Sequence, residues 1–194
     1  IVFSFDELEV DGFADNPPDR CYHCKTAILQ KVREAAEQVD TVYIAEGSNV
    51  DDDGDYRPGK RAVQEAGVIS PLKEVGLTKA EIRQLSKEMG LATWDKPSFA
   101  CLASRFAYEE PITAEKLRMV ELAEKFLREH GFSQYRVRMH GSMARVEVLP
   151  EDLERFLDPK LRQDFTGHMK DLGFTYTALD LDGYRTGSMN ATLK

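Results

Sequence analysis

The stretch Thr41-Val42-Tyr43-Ile44-Ala45-Glu46-Gly47-Ser48-Asn49 decides the fold. Its first five residues are β-branched or apolar and suit a short strand. Glu46-Gly47-Ser48-Asn49 then reads as a turn. Upstream, Pro17 and Pro18 stop any earlier element and Asp19 can cap a helix. That helix is predicted from about Cys21 to Gln38, with Ile28, Val32, Ala35 and Val39 as its apolar stripe. Downstream comes an acidic loop, Asp51 to Gly59, then a short helix near Lys60–Ala66 and an extended run, Val68-Ile69-Ser70-Pro71-Leu72. Thr78-Lys79-Ala80-Glu81 is a capping box. It opens a helix expected to turn Ile82, Leu85 and Met89 inward and to close at Gly90. Helix, strand, helix, strand, helix is a parallel α/β rhythm.

The boundary of this domain is expected near Arg105, dividing the chain into residues 1–105 and 106–194. The second part opens with a helix of about Thr113–His130, ended by Gly131. A hairpin follows, Tyr135–Met139 and Ala144–Leu149, turning at Gly141-Ser142. Pro150 starts helical turns, Gly173 closes them, and Phe174–Leu179 is a last strand. The α-β-β-α-β order suggests a small ferredoxin-like or related α+β layer.

The 194 residues carry 26 Lys+Arg against 34 Asp+Glu, a net charge of −8, which argues against a non-specific nucleic-acid binder. No apolar run approaches the roughly 20 residues that a membrane span needs. Three cysteines, an odd and low number, argue against a disulfide scaffold and favour a reducing cytoplasm. Ile1-Val2-Phe3-Ser4-Phe5-Asp6 has no initiator Met and no signal pattern, so the chain is expected to be a fragment.

Four constellations carry chemistry. Cys21-Tyr22-His23-Cys24 sets two sulfurs near one point at a helix start, a spacing that suits zinc or iron–sulfur. Cys101 is the remaining thiol, and three thiolates leave one iron of a four-iron cluster open. The plainer reading makes Cys24 a small hydrophobe on the helix stripe. Cys101 itself is flanked by Lys96 and Arg105, cations that favour the nucleophilic thiolate.

The turn at Glu46 sits at the carboxyl end of a parallel strand, where open α/β sheets bind ligands. Gly47 would admit a nucleotide to the backbone, and Glu46 or Asp51 could help hold a cation; a plain strand-to-loop turn is the alternative. The acidic run 49–54 faintly resembles a calcium loop, but Lys60 stands where Glu is required and Pro58 interrupts it. Finally, Arg136 and Arg138 share one strand face. A two-residue turn sets Arg138 opposite Arg145 and Arg136 opposite Glu147. Two facing like charges call for an anion between them, a phosphate or carboxylate. Glu124, on the edge of its helix's apolar arc, could reach the same cluster. An exposed hairpin face with a routine Arg–Glu pair is the alternative.

Glu46-Gly47-Ser48-Asn49, the run 52–59, the run Lys96-Pro-Ser-Phe-Ala-Cys-Leu-Ala-Ser-Arg105, Arg136-Val-Arg138 and the closing Gly183-Tyr-Arg-Thr-Gly-Ser-Met-Asn190 together resemble the PP-loop ATP pyrophosphatase superfamily. Within it they are most similar to the LarE branch, ATP-dependent sulfur transferases that build the nickel-pincer cofactor of lactate racemase. The superfamily's Ser-Gly-Gly-x-Asp-Ser pyrophosphate loop appears nowhere in this sequence.

The resemblance implies part of a PP-loop parallel sheet domain followed by a C-terminal α+β substrate and oligomerisation domain. It implies adenylation of a pyridinium dicarboxylate mononucleotide by ATP and Mg²⁺, then displacement of the adenylate by sulfur. Some members give up a cysteine sulfur, leaving dehydroalanine. Others hold a [4Fe-4S] cluster on three cysteines, the pattern matched here by Cys21, Cys24 and Cys101. By similarity Arg136, Arg138 and Glu124 hold the substrate phosphate or carboxylate near Cys101, and Glu46, Gly47, Asn49 and Asp51 line the nucleotide pocket. A homo-oligomer is expected, with no nucleic-acid or membrane partner. A transfer-RNA thiolation enzyme and a non-catalytic metal-binding fragment are the competing functions.

Overall fold

The computed structural model describes residues 1–54, 56–96 and 100–192. The chain divides into two compact units, Ile1–Phe13 with Asp19–Ser98, and Ala14–Pro18 with Phe99–Lys194. It is an α/β protein whose described strands form one three-stranded mixed sheet, in the second unit.

In the first unit, helix α1 spans Arg20–Gln38 and α2 spans Gly59–Glu65. They pack closely at Gly59, where a Cβ would stand 3.4 Å from the Cys21 carbonyl. The small core is Leu29, Ala62, Val63 and Val68, with Tyr22, Ile44 and Ala66 against it. The α1 stripe is rotated from expectation. Leu29 and Ala36 are buried, Ile28, Val32 and Ala35 are half-buried, and Val39 is exposed. Asp19 is the N-cap residue, yet its carboxylate caps nothing; it pairs with His23 at 3.5 Å, one turn on.

The two expected strands do run parallel, but they meet at a single bridge, Ala45 with Ile69. Two hydrogen bonds hold it, Glu46 N–H to Ile69 O at 2.9 Å and Ile69 N–H to Ile44 O at 3.0 Å. No ladder extends it among the described residues. Val42 and Tyr43 are 89% and 78% exposed, and of this segment only Ile44 packs against the core. The second extended run ends at Ser70, because Pro71 has its φ preset for a helix and opens α3, Pro71–Glu74. Helix α4, Lys79–Glu88, carries the expected capping box at Thr78 and Glu81. Its apolar face is not covered. Ile82 is half-buried, while Leu85 and Met89 are exposed.

In the second unit, Thr113 caps α5, Ala114–Glu129, through its hydroxyl. Strands β1, Tyr135–His140, and β2, Met143–Val148, pair antiparallel around the two-residue turn Gly141-Ser142. Helix α6, Pro159–Asp171, returns the chain to β3, Tyr176–Leu179, which pairs parallel with β2. The core joins Val120, Ala123 and Leu127 of α5, Val137, Val146 and Val148 of the sheet, and Phe165 and Met169 of α6. No described helix is long and apolar enough to cross a membrane.

A buried arginine–carboxylate cluster and the Cys101 loop

Cys101 precedes a tight helical turn, Leu102–Arg105, and its side chain is exposed. Its backbone is held firmly. Arg105 Nη1 donates to the carbonyls of Ala100 and Cys101 at 3.0 and 3.2 Å, and Ser104 Oγ donates to the Cys101 carbonyl at 2.7 Å. Arg105 is itself 1% exposed and grips Glu124 of α5 with two bonds, Nε to Oε1 at 2.7 Å and Nη2 to Oε2 at 2.9 Å. Glu124 Oε1 also accepts the Val137 N–H of β1 at 3.0 Å. The Cys101 loop is thereby tied to the helix and the sheet through one buried ion pair. The charge of Arg105 is paired with that of Glu124. Pro97, Ser98 and Phe99 of the same motif lie outside the described residues.

The hairpin register is the expected one, with Arg136 opposite Glu147 and Arg138 opposite Arg145. The face is buried, not exposed. Arg136 and Arg138 are 3% and 5% exposed, and Glu147 is fully buried. The anion between the facing arginines is the protein's own. Arg138 donates to Glu147 Oε2 from Nε and Nη2 at 3.1 and 2.9 Å, and Arg145 Nη1 stands 3.1 Å from Glu147 Oε1. Arg145 also pairs with Asp180. Burial, then the charge of Arg105, holds Arg136 below the ordinary arginine value, and its guanidinium lies 5.1 Å from the Tyr184 ring centre.

Glu124, Arg136, Arg138 and Cys101 thus belong to one unit, joined there by Arg105, Glu147 and Ser104. Sequence reading gave Arg105 and Glu147 only as neighbours or pairing partners.

The other candidates lie in the first unit. Glu46 Oε1 accepts Ser48 N–H at 3.2 Å and Ser70 Oγ at 2.5 Å. Partial burial works to raise its pKa, but these bonds and the Lys25 charge outweigh it, and the carboxyl sits below its ordinary value. Gly47 is exposed, and a Cβ there would meet open space. Asn49 receives Asp51 N–H on its side chain at 3.0 Å, and Asp51 Oδ2 accepts the first N–H of α4, from Lys79, at 2.7 Å. Two aspartates of the acidic loop are ion-paired. Asp52 binds Arg57 at 2.6 Å, and Asp53 binds Lys73 at 2.5 Å and Lys60 at 3.3 Å.

Cys21 is exposed and Cys24 half-buried on the first turns of α1, and none of the three cysteines is in a disulfide. Among the described residues no group of three or more His, Cys, Asp or Glu side chains is gathered in a metal-binding arrangement.

No family model matches the chain. Known proteins do resemble it over nearly its whole length. An uncharacterized protein of Synechocystis is 41% identical over 96% of this chain and 70% of its own. The pyridinium-3,5-bisthiocarboxylic acid mononucleotide synthase of Lactiplantibacillus plantarum is 38% identical over 98% of this chain and 68% of its own. An uncharacterized protein of Methanocaldococcus jannaschii is 30% identical over 92% and 69%. An α/β chain with an exposed thiol on a loop anchored in a buried arginine–carboxylate network is therefore a member of a defined group. The chain belongs to the family of that synthase, the LarE family.

Proposed function

We propose that this chain inserts sulfur into a pyridinium dicarboxylate mononucleotide at the expense of ATP, as a step toward a nickel-pincer cofactor of the lactate racemase type. The observation that carries the reading is the 38% identity to a bisthiocarboxylic acid mononucleotide synthase over 98% of this chain. The Cys101 loop, fixed by Arg105 over Glu124, supports it, because sulfur transfer needs a thiol that is accessible yet positioned.

The chemistry runs in two displacements. A substrate carboxylate oxygen attacks the α-phosphorus of ATP, pyrophosphate leaves, and an acyl adenylate results. A sulfur nucleophile then attacks the acyl carbon, AMP leaves, and a carbon–sulfur bond replaces the carbon–oxygen bond. Arg136 and Arg138, with Glu124, are proposed to hold the substrate phosphate or carboxylate. Glu46, Gly47, Asn49 and Asp51 are proposed to line the nucleotide pocket, with Glu46 and Asp51 as oxygen donors for Mg²⁺. The open space at Gly47 supports close approach of a nucleotide to the backbone. The exposure of Val42 and Tyr43 supports the first unit as part of a larger parallel sheet of the PP-loop type.

Two sulfur sources fit the thiols. Cys21, Cys24 and Cys101 form a soft donor set that suits a [4Fe-4S] cluster with one open iron, which would supply sulfide. In the second version the Cys101 thiolate attacks the adenylate, and a base then removes its Cα proton. The Cβ–S bond breaks, the sulfur leaves with the product, and dehydroalanine remains.

The test is incubation of anaerobically purified protein with ATP, Mg²⁺ and the pyridinium dicarboxylate mononucleotide. Product and protein masses are read together, and iron and acid-labile sulfide are measured beforehand. Oxygen-to-sulfur exchange in the product is expected. About four irons per chain, lost in Cys21→Ser, selects the cluster. Loss of H₂S from Cys101 selects the sacrificial route. AMP-free reactions with unchanged substrate would refute both.

A further inference from the structure

The closing segment 183–190 lies along the arginines of the hairpin, and each arginine there meets one of its residues. Gly183 has φ +69°, and a Cβ would come within 2.9 Å of the Val148 carbonyl, so only glycine lets the chain pass this close to β2. Tyr184 N–H then bonds that carbonyl at 2.7 Å, and the Arg136 guanidinium faces the Tyr184 ring. Arg138 Nη2 donates to Ser188 Oγ at 3.1 Å, and Ser188 Oγ donates onward to Glu147 Oε1 at 2.7 Å. Arg145 Nη2 lies 3.4 Å from the sulfur of Met189, which is buried. Asn190 Oδ1 accepts the Tyr108 hydroxyl at 3.0 Å and fixes the end of the segment.

Ser188 closes a ring of hydrogen bonds with Arg138 and Glu147. It occupies one carboxylate oxygen together with Arg145, so Arg138 takes only the other. Four of the five N–H groups of Arg138 are then spent, the fourth on the Ser104 carbonyl at 3.0 Å. One Nη1 proton remains without a partner among the described residues. A guanidinium held in plane on every other side, with one donor left over, is prepared to take an anionic oxygen.

We propose that segment 183–190 is a strap that orients the hairpin arginines, with Ser188 as a positioning residue that fixes Arg138 for the phosphate or carboxylate of the substrate. This rests on the anion-binding role given above to Arg138. Removing the Ser188 hydroxyl leaves an Nη2 proton of Arg138 unmatched and Glu147 Oε1 with Arg145 alone, so the guanidinium is held less tightly in the plane that meets the ligand.

Inorganic phosphate, titrated by isothermal calorimetry into the full chain, tests it. Wild type is expected to bind. Ser188→Ala is expected to bind about tenfold more weakly, the scale of one charge-assisted hydrogen bond. Ser188→Thr, which keeps the hydroxyl, is expected to restore binding. Arg138→Lys keeps the buried charge but loses the fork and is expected to lose binding. Circular dichroism checks that each variant is folded. If Ser188→Ala is not, the near-isosteric pair Ser188→Thr and Ser188→Val carries the same comparison. Equal affinity with and without the hydroxyl, while Arg138→Lys has lost binding, overturns the strap and leaves the anion site standing. Unchanged binding in Arg138→Lys, or no binding by wild type, overturns the anion reading and the strap with it.

Discussion

The two units of this chain solve the burial problem in opposite ways. The first has a core of four small or medium apolar residues and leaves Val42, Tyr43, Leu85 and Met89 in water. The second packs α5, the sheet and α6 around a large apolar core and also buries Arg105, Glu124, Arg136, Arg138 and Glu147. Charges are buried only where partners can be guaranteed, since an unpaired buried charge costs more than most side chains contribute. The second unit is thus over-determined around its arginines, whereas the described core of the first is centred on the α1–α2 contact.

The strongest way to break this contrast is Arg105→Ala. It strands Glu124 in the core and releases two loop carbonyls. A loss of about 3–5 kcal/mol is expected in chemical denaturation, the range for breaking a buried pair. A cost below about 1 kcal/mol would show that the cluster is ordinary surface electrostatics. Arg138→Ala belongs to the same class. Because Arg138 is locked to Glu147, its removal is expected to lower stability as well as ligand binding, where facing like charges alone predict no loss of stability.

Core truncations sharpen the comparison. Phe165→Ala in the second unit is expected to cost about 3–5 kcal/mol. Leu29→Ala, at the centre of the smaller core, is expected at the low end of the Leu→Ala range, about 2–3 kcal/mol, because nearby side chains can relax into the space. Hydrogen exchange gives the same contrast without mutation. The amides of β1 and β2 are expected to exchange slowest, and those of 42–45 to exchange at near-unprotected rates. Slow exchange in 42–45 would mean that its faces are covered in solution.

What the sequence made legible follows the same division. The register of Arg136 and Arg138 was readable, because a two-residue turn leaves only one pairing. The capping box at Thr78 was readable because it is local. Periodicity showed that Ile82, Leu85 and Met89 share a helix face, but it says nothing of whether another element covers that face. The pairing of Arg105 with Glu124 spans 19 residues and two elements, so no local pattern reveals it. Between the facing arginines lies the carboxylate of Glu147, which the pairing register places two residues from Arg145 on the same face.

The smallest expected effect separates the two units by pH. His140 accepts a hydrogen bond on Nε2 from Arg145 Nε at 3.3 Å, which requires that nitrogen to be unprotonated. Burial first, and then the Arg145 charge, hold its pKa below the ordinary 6.5; Glu110 and Glu147 oppose this and Arg138 adds to it. The unfolded chain therefore takes up a proton that the folded chain refuses as pH falls below about 6.5. Stability carried by the second unit is expected to decline from that point until the folded value is reached, and then to level. Glu46, in the first unit, is depressed below its ordinary 4.5, so its contribution is complete above that value and is lost only as pH falls through the lower folded value. Urea midpoints measured from pH 8 to 4 should therefore begin to fall near 6.5, and His140→Gln should delay the onset toward the carboxylate range. An unchanged onset in His140→Gln would assign the upper window to another group and show that the polar cluster of the second unit is indifferent to its histidine.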